Sequence, residues 1–455
     1  MKTGAKKLIF CVFLVLFFIF APIVIFYSLG YRFDFQNKKL VQTGGIYVKT
    51  QPKKAKVFLN EEFVNFTDFL GGSFFIKNLL PGNYSLEIQN DGYGSWSKNL
   101  LVEEKMVTEV KEVILLPNEI PSLILDQKVI DFYSSPSLKK MLVLKNDEKG
   151  ANFYLNEIDE NPKKLTASAE FFFNINSSFK KINGVFWNEN EEKIIINSDK
   201  GFYLLEKIGN KKSKLILNPN IKIVGFASEN KISYLDANGV LVIYNLEDLT
   251  SEMIKTKNKD CIWKNGSFLC LDIEGFAEKI GIDGKTQKVF NLEPLSISDK
   301  KIYEIIAKSN KIFVQENNAL WLLDQKNIFE KIEINSGFIS PAPDNKKIAI
   351  FQKENPEISL FYLEKDYQQP IKESGQKNKI IKQKDVSNIF WFDPYHLFIQ
   401  KPDKITFIET DNKGKINQFE VFNKPIKKAV YDEKKKAFYI LDSKNYQLLV
   451  LFFSF

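Results

Sequence analysis

Twenty-two consecutive residues without a charge, Leu8 to Leu29, leave that part of the chain very little choice of structure. A segment that spans hydrocarbon must satisfy its own backbone polar groups, which a single segment does only as a helix. At about 1.5 Å per residue the run would be roughly 33 Å long, enough for a hydrocarbon core of about 30 Å. Lys2, Lys6 and Lys7 precede it, and Tyr27 and Tyr31 mark its far edge. Positive residues on a short leading segment hold that end in the cytoplasm and send the bulk of the chain outward. The start of the chain therefore divides into a cytoplasmic segment 1–7, a transmembrane helix 8–29 and a linker 30–43, with Pro22 admitting a kink. Ser28 and Gly30 would suit cleavage before Tyr31, but the apolar regions of signal peptides run only about 7–15 residues, so an uncleaved signal anchor is the better reading.

The remainder mixes Lys, Glu and Asp with Ile, Leu, Val and much Phe, and is long enough for two or more domains. The formal net charge of +8 comes from dispersed lysines, which describes a solvated surface and not a nucleic-acid face. His396 is the only histidine. Without a Ser or Cys nucleophile motif it makes no triad, and zinc or iron sites built on His and Cys clusters are excluded by counting. The acidic turns at Asp236, Asp283 and Asp411 lack the alternating oxygen ligands and distal Glu of a calcium loop, and they suit hairpin turns. No catalytic, cofactor or metal residue is expected.

Cys261 and Cys270 flank Asn265-Gly266, a strong two-residue hairpin signal. Counting outward from that turn puts Lys264 opposite Ser267, Trp263 opposite Phe268, Ile262 opposite Leu269 and Cys261 opposite Cys270. This last pair falls at a non-hydrogen-bonded position, where Cα atoms approach to about 4.5 Å, within reach of a disulfide. Two reduced, buried cysteines are the alternative.

From Gly44 to Pro117 short alternating strands separated by turns argue for a small antiparallel β-sandwich. The pattern Gly45, Pro52, Ala55, Val57 and Leu59, then Leu80-Pro81-Gly82 before Tyr84, Gly92-Tyr93, and Val113 to Pro117 resembles the PEGA domain family. Departures fall at turns: Lys53-Lys54, Asn60-Glu61 and Thr67-Asp68. The resemblance implies a non-enzymatic envelope module for spacing or attachment.

Pro117 and Pro121 mark the next boundary. Over 120–455 a loose unit recurs, as in Val185–Trp187, Ile194–Ile196 and Gly201–Leu205, or Ile389–Trp391, His396–Ile399 and Ile405–Ile408. Repeats near 40 residues of strand and turn, without long helices, predict a β-propeller of seven or eight blades. Ser122–Asp126 would supply a fourth strand to the last blade and close the ring. The unit resembles the blades of WD40-like and TolB-like propellers, and Ser340-Pro341-Ala342-Pro343-Asp344-Asn345 is similar to their turn. Glu364–Asp385 reads as a polar insertion between blades, and Ala167–Ser178, with Phe171, Phe172 and Phe173, as a second one.

The fold class expected is thus all-β outside one N-terminal transmembrane helix, a PEGA-like β-sandwich at 44–117 followed by the propeller. The matching function is a non-enzymatic, membrane-anchored cell-envelope protein of bacterial type, whose propeller binds a protein or polysaccharide partner and needs no cofactor. The alternative is an envelope carbohydrate hydrolase or lyase using carboxylates in the propeller channel.

Overall fold

The computed structural model describes residues 3–453 apart from 36, 126–127, 148–149, 162–164, 168–172, 175–180, 207–210, 216, 218–219, 368–369 and 412–413. Helix α1 (Thr3–Ser28) opens the chain, and the described residues beyond it build strands. Its window Phe10–Ser28 is long and apolar enough to span a membrane, and none of the described residues buries it. Contacts group the chain into two units. The first is Met1–Glu119 with Phe407–Phe419 and Phe453–Phe455, and the second is Ile120–Thr406 with Glu420–Phe452.

In the first unit, the stretch read as a linker is a folded hairpin, β1 (Tyr31–Asp34) against β2 (Lys39–Gln42). Asp34 caps its turn by accepting from the Asn37 backbone and side-chain amides. The sandwich then builds from β3 (Gly44–Gln51), β4 (Lys56–Leu59), β5 (Glu62–Phe66), β6 (Ser73–Leu79), β7 (Gly82–Gln89), β8 (Trp96–Val102) and β9 (Val107–Ile114). One sheet has the order β6-β3-β9 and the other β5-β4-β7-β8. Alternation places Ile46, Val48, Val57, Leu86, Ile88, Trp96 and Leu100 between them. The expectation of an antiparallel sandwich needs one correction, since β3 and β9 run parallel. They are the first and last strands of the module; no hairpin joins them, so nothing forces opposite directions. The end is pinned where the Leu115 amide donates to the Gln51 carbonyl (2.8 Å) and the Asn118 amide to that of Gly92 (2.9 Å).

The second unit repeats one device, an up-and-down antiparallel meander of four strands, in sheets that begin at Val129 (where the short Phe173–Asn174 adds a fifth strand), Ile182, Lys222, Tyr303, Ser336, Asn388 and Ile426. The long strand Ser251–Lys264 serves two meanders at once, joining them into a seven-stranded sheet. Ser122–Leu125 pairs with Leu448–Phe452, Ser122 opposite Val450, so the unit's first strand completes its last sheet. Asp126, the last residue expected in that strand, lies outside the described residues.

Successive sheets pack face to face through shared apolar clusters. Leu142 and Phe153 meet Ile194 and Leu205, Phe202 meets Ile232, and Leu271 meets Ile305 and Val314. The last sheet packs on the first, with Tyr439, Leu441 and Val450 against Phe132, Met141 and Val143. This is the connectivity of a β-propeller.

Glu364–Asp385 is not a simple insertion: Lys377–Lys382 within it is the outer strand of the sheet that begins at Ser336. Alternation there is masked by its polar composition, because an outer strand has one solvated edge. Of the phenylalanine-rich insertion, Phe171 and Phe172 lie outside the described residues.

Candidate functional site

The hairpin from Ser251–Lys264 to Ser267–Asp272 has the register that its turn demands. Lys264 faces Ser267, Trp263 faces Phe268, Ile262 faces Leu269 and Cys261 faces Cys270. Asn265 at φ 50° and Gly266 at φ 73° supply the two left-handed residues of a type I′ turn. The cysteine Cα atoms lie 4.1 Å apart and the sulfurs are bonded. Both residues are buried among Leu241, Ile243, Ile254, Phe268 and Ile280. A cross-link so enclosed braces the sheet and is shielded from reductants. Asp260, next to it, accepts from the backbone amides of Cys261 (2.8 Å) and Ile305 (3.0 Å) and from Lys222 Nζ (2.7 Å). Burial outweighs these contacts and lifts its carboxyl above the ordinary aspartate range.

His396 begins a fully buried strand, His396–Gln400, and its Nδ1 lies 2.9 Å from both carboxylate oxygens of Asp393. Asp393 also accepts from the Tyr395 amide at 2.7 Å. Burial pushes the Asp393 carboxyl upward, but the His396 contact prevails and holds it below the usual range. The pair fastens the turn Asp393–His396 at a strand entry. The acidic turns behave likewise. Asp236 accepts from the amides of Asn238 and Val240, and Asp283 from that of Lys285. Among the described residues no group of three or more His, Cys, Asp or Glu is arranged to hold a metal ion.

Three glutamates that the sequence did not single out prove to be the organised polar groups of the second unit. Glu316 accepts from Lys301 Nζ (2.9 Å), Tyr303 Oη (3.1 Å) and Trp321 Nε1 (3.1 Å). Glu333 accepts from Lys377, Gln352 and the Ile334 amide, and Glu357 from Lys379 and Ser359. Of the polar segment 364–385, Lys379 thus engages a buried acid of its own sheet, Glu357, and Lys377 one at the end of the preceding sheet, Glu333. No sequence motif announces these pairs, because each partner arrives from a different strand.

The first unit holds a comparable centre. Lys98, fully buried, reaches Glu409 at 2.8 Å and Asp411 at 3.3 Å. Trp96 Nε1 and the Asn417 side-chain amide, each at 3.0 Å, also donate to Glu409. Asp411, read as part of an acidic turn, is therefore an ion-pair partner; Asn412 and Lys413 beside it lie outside the described residues. A buried charge set of this kind is structural unless a ligand enters it, since every acid named here already has a cation or amide.

No family profile matches the chain, and no curated protein matches it. Similar solved structures include BamB from Moraxella catarrhalis, at 9% identity and a TM-score of 0.43, covering 74% of this chain and 100% of that one. Kluyveromyces lactis Hsv2 is 13% identical with a TM-score of 0.41 and covers 65% of this chain and 98% of its own. The β-propeller domain of Myceliophteria thermophila Cps50 (Swd1) is 10% identical with a TM-score of 0.36, covering 60% and 98%. The likeness extends to the fold alone, and the PEGA-like reading of 44–117 rests on that segment's own residues.

Proposed function

We propose that this chain is a membrane-anchored binding protein of the bacterial cell envelope. Residues 1–7 stay in the cytoplasm, α1 remains as an uncleaved anchor, and both β-units lie outside the cytoplasmic membrane. The observation that carries the reading is the uncharged, exposed window Phe10–Ser28 of α1, ahead of described residues that otherwise build strands. A disulfide buried in the second unit supports an oxidising exterior. The unit 120–455 is a closed ring of eight blades, counting the seven-stranded sheet as two and the strand Ser122–Leu125 as part of the last. The segment 44–117 is a PEGA-like spacer, and the ring binds a protein or polysaccharide. The acids described above are engaged by neighbouring lysines and amides, the arrangement of structural ion pairs, which supports a binding scaffold.

Protease added to intact spheroplasts is expected to remove both β-units while sparing a small N-terminal membrane fragment. Full protection in spheroplasts, with digestion only after lysis, would reverse the orientation. Crosslinking in intact cells is then expected to recover an envelope protein or glycan through the ring, and recovery of the chain alone would count against a binding role.

A further inference from the structure

Among the described residues, one face of the hairpin β1–β2 is left open. In an antiparallel pair, partners directly opposite share a face, so Tyr31 goes with Gln42 and Phe33 with Leu40, while Arg32 goes with Val41 and Asp34 with Lys39. Val41 (3% exposed) and Asp34 (7%) are buried, whereas Phe33 (47%), Leu40 (51%) and Phe35 (82%) are open. The Phe35 ring stands edge-on to Phe33 at 5.1 Å, so the three form one apolar surface.

This surface is continuous with the helix that precedes it. Phe26, within the span, packs edge-on to Tyr31 at 5.4 Å. Arg32 lies over the Tyr27 ring at 3.4 Å and donates to the carbonyls of Tyr27 and Tyr31. The hairpin also returns to its starting point: the Thr43 amide and Oγ1 both donate to the Gly30 carbonyl at 2.9 Å, and Gln42 Nε2 to that of Leu29 at 3.2 Å. No slack chain therefore separates α1 from β3.

Length decides the posture. Six residues at about 3.4 Å each give a hairpin of roughly 20 Å, whereas the polar zone of one leaflet is only about 5–8 Å deep. Upright, the hairpin would hold Phe33 and Leu40 about 7 Å beyond Tyr31, at the outer limit of that zone, and carry Phe35, about 14 Å beyond it, into water. Lying down, it keeps all three at the boundary of headgroups and acyl chains, with the exposed Lys38 at the turn to meet anionic headgroups.

We infer that Tyr31–Gln42 is a membrane-surface blade that lies on anionic phospholipid of the bilayer that α1 spans, and so seats the sandwich directly on the membrane. The inference rests on the anchor reading given above. The test is photocrosslinking of the full-length chain in phosphatidylglycerol–phosphatidylethanolamine vesicles, with benzoylphenylalanine replacing Phe35, or Phe17 within the span. Adduct at position 35 comparable to that at position 17 is expected. Adduct at 17 but only background at 35 overturns the blade and leaves the anchor, and background at both positions overturns both. Lys38→Glu should lower the yield at 35 by about fivefold in these vesicles and not in phosphatidylcholine. An unchanged yield would remove the headgroup contribution.

Discussion

Two strands rich in aromatic residues meet opposite fates. Glu62–Phe66 exposes Phe63 (51%) and Phe66 (48%), whereas Ala437–Asp442 buries Phe438 and Tyr439 completely. Their sequences, Glu-Phe-Val-Asn-Phe and Ala-Phe-Tyr-Ile-Leu-Asp, do not differ enough in hydrophobicity to account for that. Position does. Glu62–Phe66 is the edge of its sheet and, among the described residues, pairs only with Lys56–Leu59. Ala437–Asp442 pairs on both sides and is covered on both faces: Tyr439 packs toward the first sheet, and Phe438 packs against Phe390 and Phe398. Phenylalanine content marks a strand as able to be buried, and the stacking of sheets decides whether it is.

The largest effect should come from the buried side of that contrast. Phe438→Ala is expected to cost about 3–5 kcal/mol, from lost transfer energy and the cavity left behind. Denaturant unfolding of the full chain, followed by tryptophan fluorescence, measures it. A cost under about 1 kcal/mol would mean that the site collapses or that the stack is loose. Lys98→Met should be nearly as costly to the first unit, about 3–5 kcal/mol, because Glu409 stays buried without its cation. Adding Glu409→Gln should recover much of that loss, and failure to recover it would mean that Lys98 acts through packing alone.

Much of the architecture is legible in the sequence because antiparallel meanders are local. The hairpin at Asn265-Gly266 sets its own register, and Ile194–Ile196 and Gly201–Leu205 fall inside the strands Lys193–Ser198 and Gly201–Glu206. The strand Ser122–Leu125 can be anticipated because a ring of meanders leaves one partner missing. What cannot be read depends on distant parts of the chain. The parallel pairing of Gly44–Gln51 with Val107–Ile114 links strands far apart in sequence, and Lys98 finds Glu409 across about three hundred residues. The hairpin Tyr31–Gln42 is hidden for another reason. Its open face is apolar and its packed face includes Asp34 and Val41, so the usual inside-outside alternation is absent.

Reducing Cys261–Cys270 should be less costly than either core change. The bridge closes a loop of about ten residues, and chain entropy assigns such a loop roughly 2.5–3 kcal/mol. Mass spectrometry before and after reduction establishes the bond, and unfolding with and without reductant gives its contribution. A native protein with both thiols free would remove the bridge from the account.

Acid should separate the buried glutamates from their exposed counterparts by a smaller margin. Burial alone would raise Glu316 and Glu333, but Lys301, Trp321 and Tyr303 on the first, and Lys377 and Gln352 on the second, hold them below the glutamate range. Their stabilisation is present above that range and is lost as pH falls from about 4.3 toward the lowered values. Asp260 runs the other way: held high by burial, it opposes stability as pH rises through its range. Glu316→Gln should flatten the acid limb of the stability profile, and Asp260→Asn should leave that limb steep. Equal responses would mean that neither shift survives in solution.

The exposed side of the contrast gives the smallest change and the most telling one. Phe63 touches Phe58 at 5.7 Å and Phe66 at 5.1 Å, so Phe63→Ser removes ring contacts but opens no cavity. A stability change within about 0.5 kcal/mol is expected for such a surface site. An unpaired edge carrying Phe63, Val64 and Phe66 is also a template for strand addition, which natural edges blunt with charge. The same substitution should therefore reduce self-association of the detergent-solubilised chain, measured by sedimentation velocity. A loss of several kcal/mol would place Phe63 in a core after all. Unchanged stability with unchanged association would show that Glu62 and Asn65 already keep this edge closed to other strands.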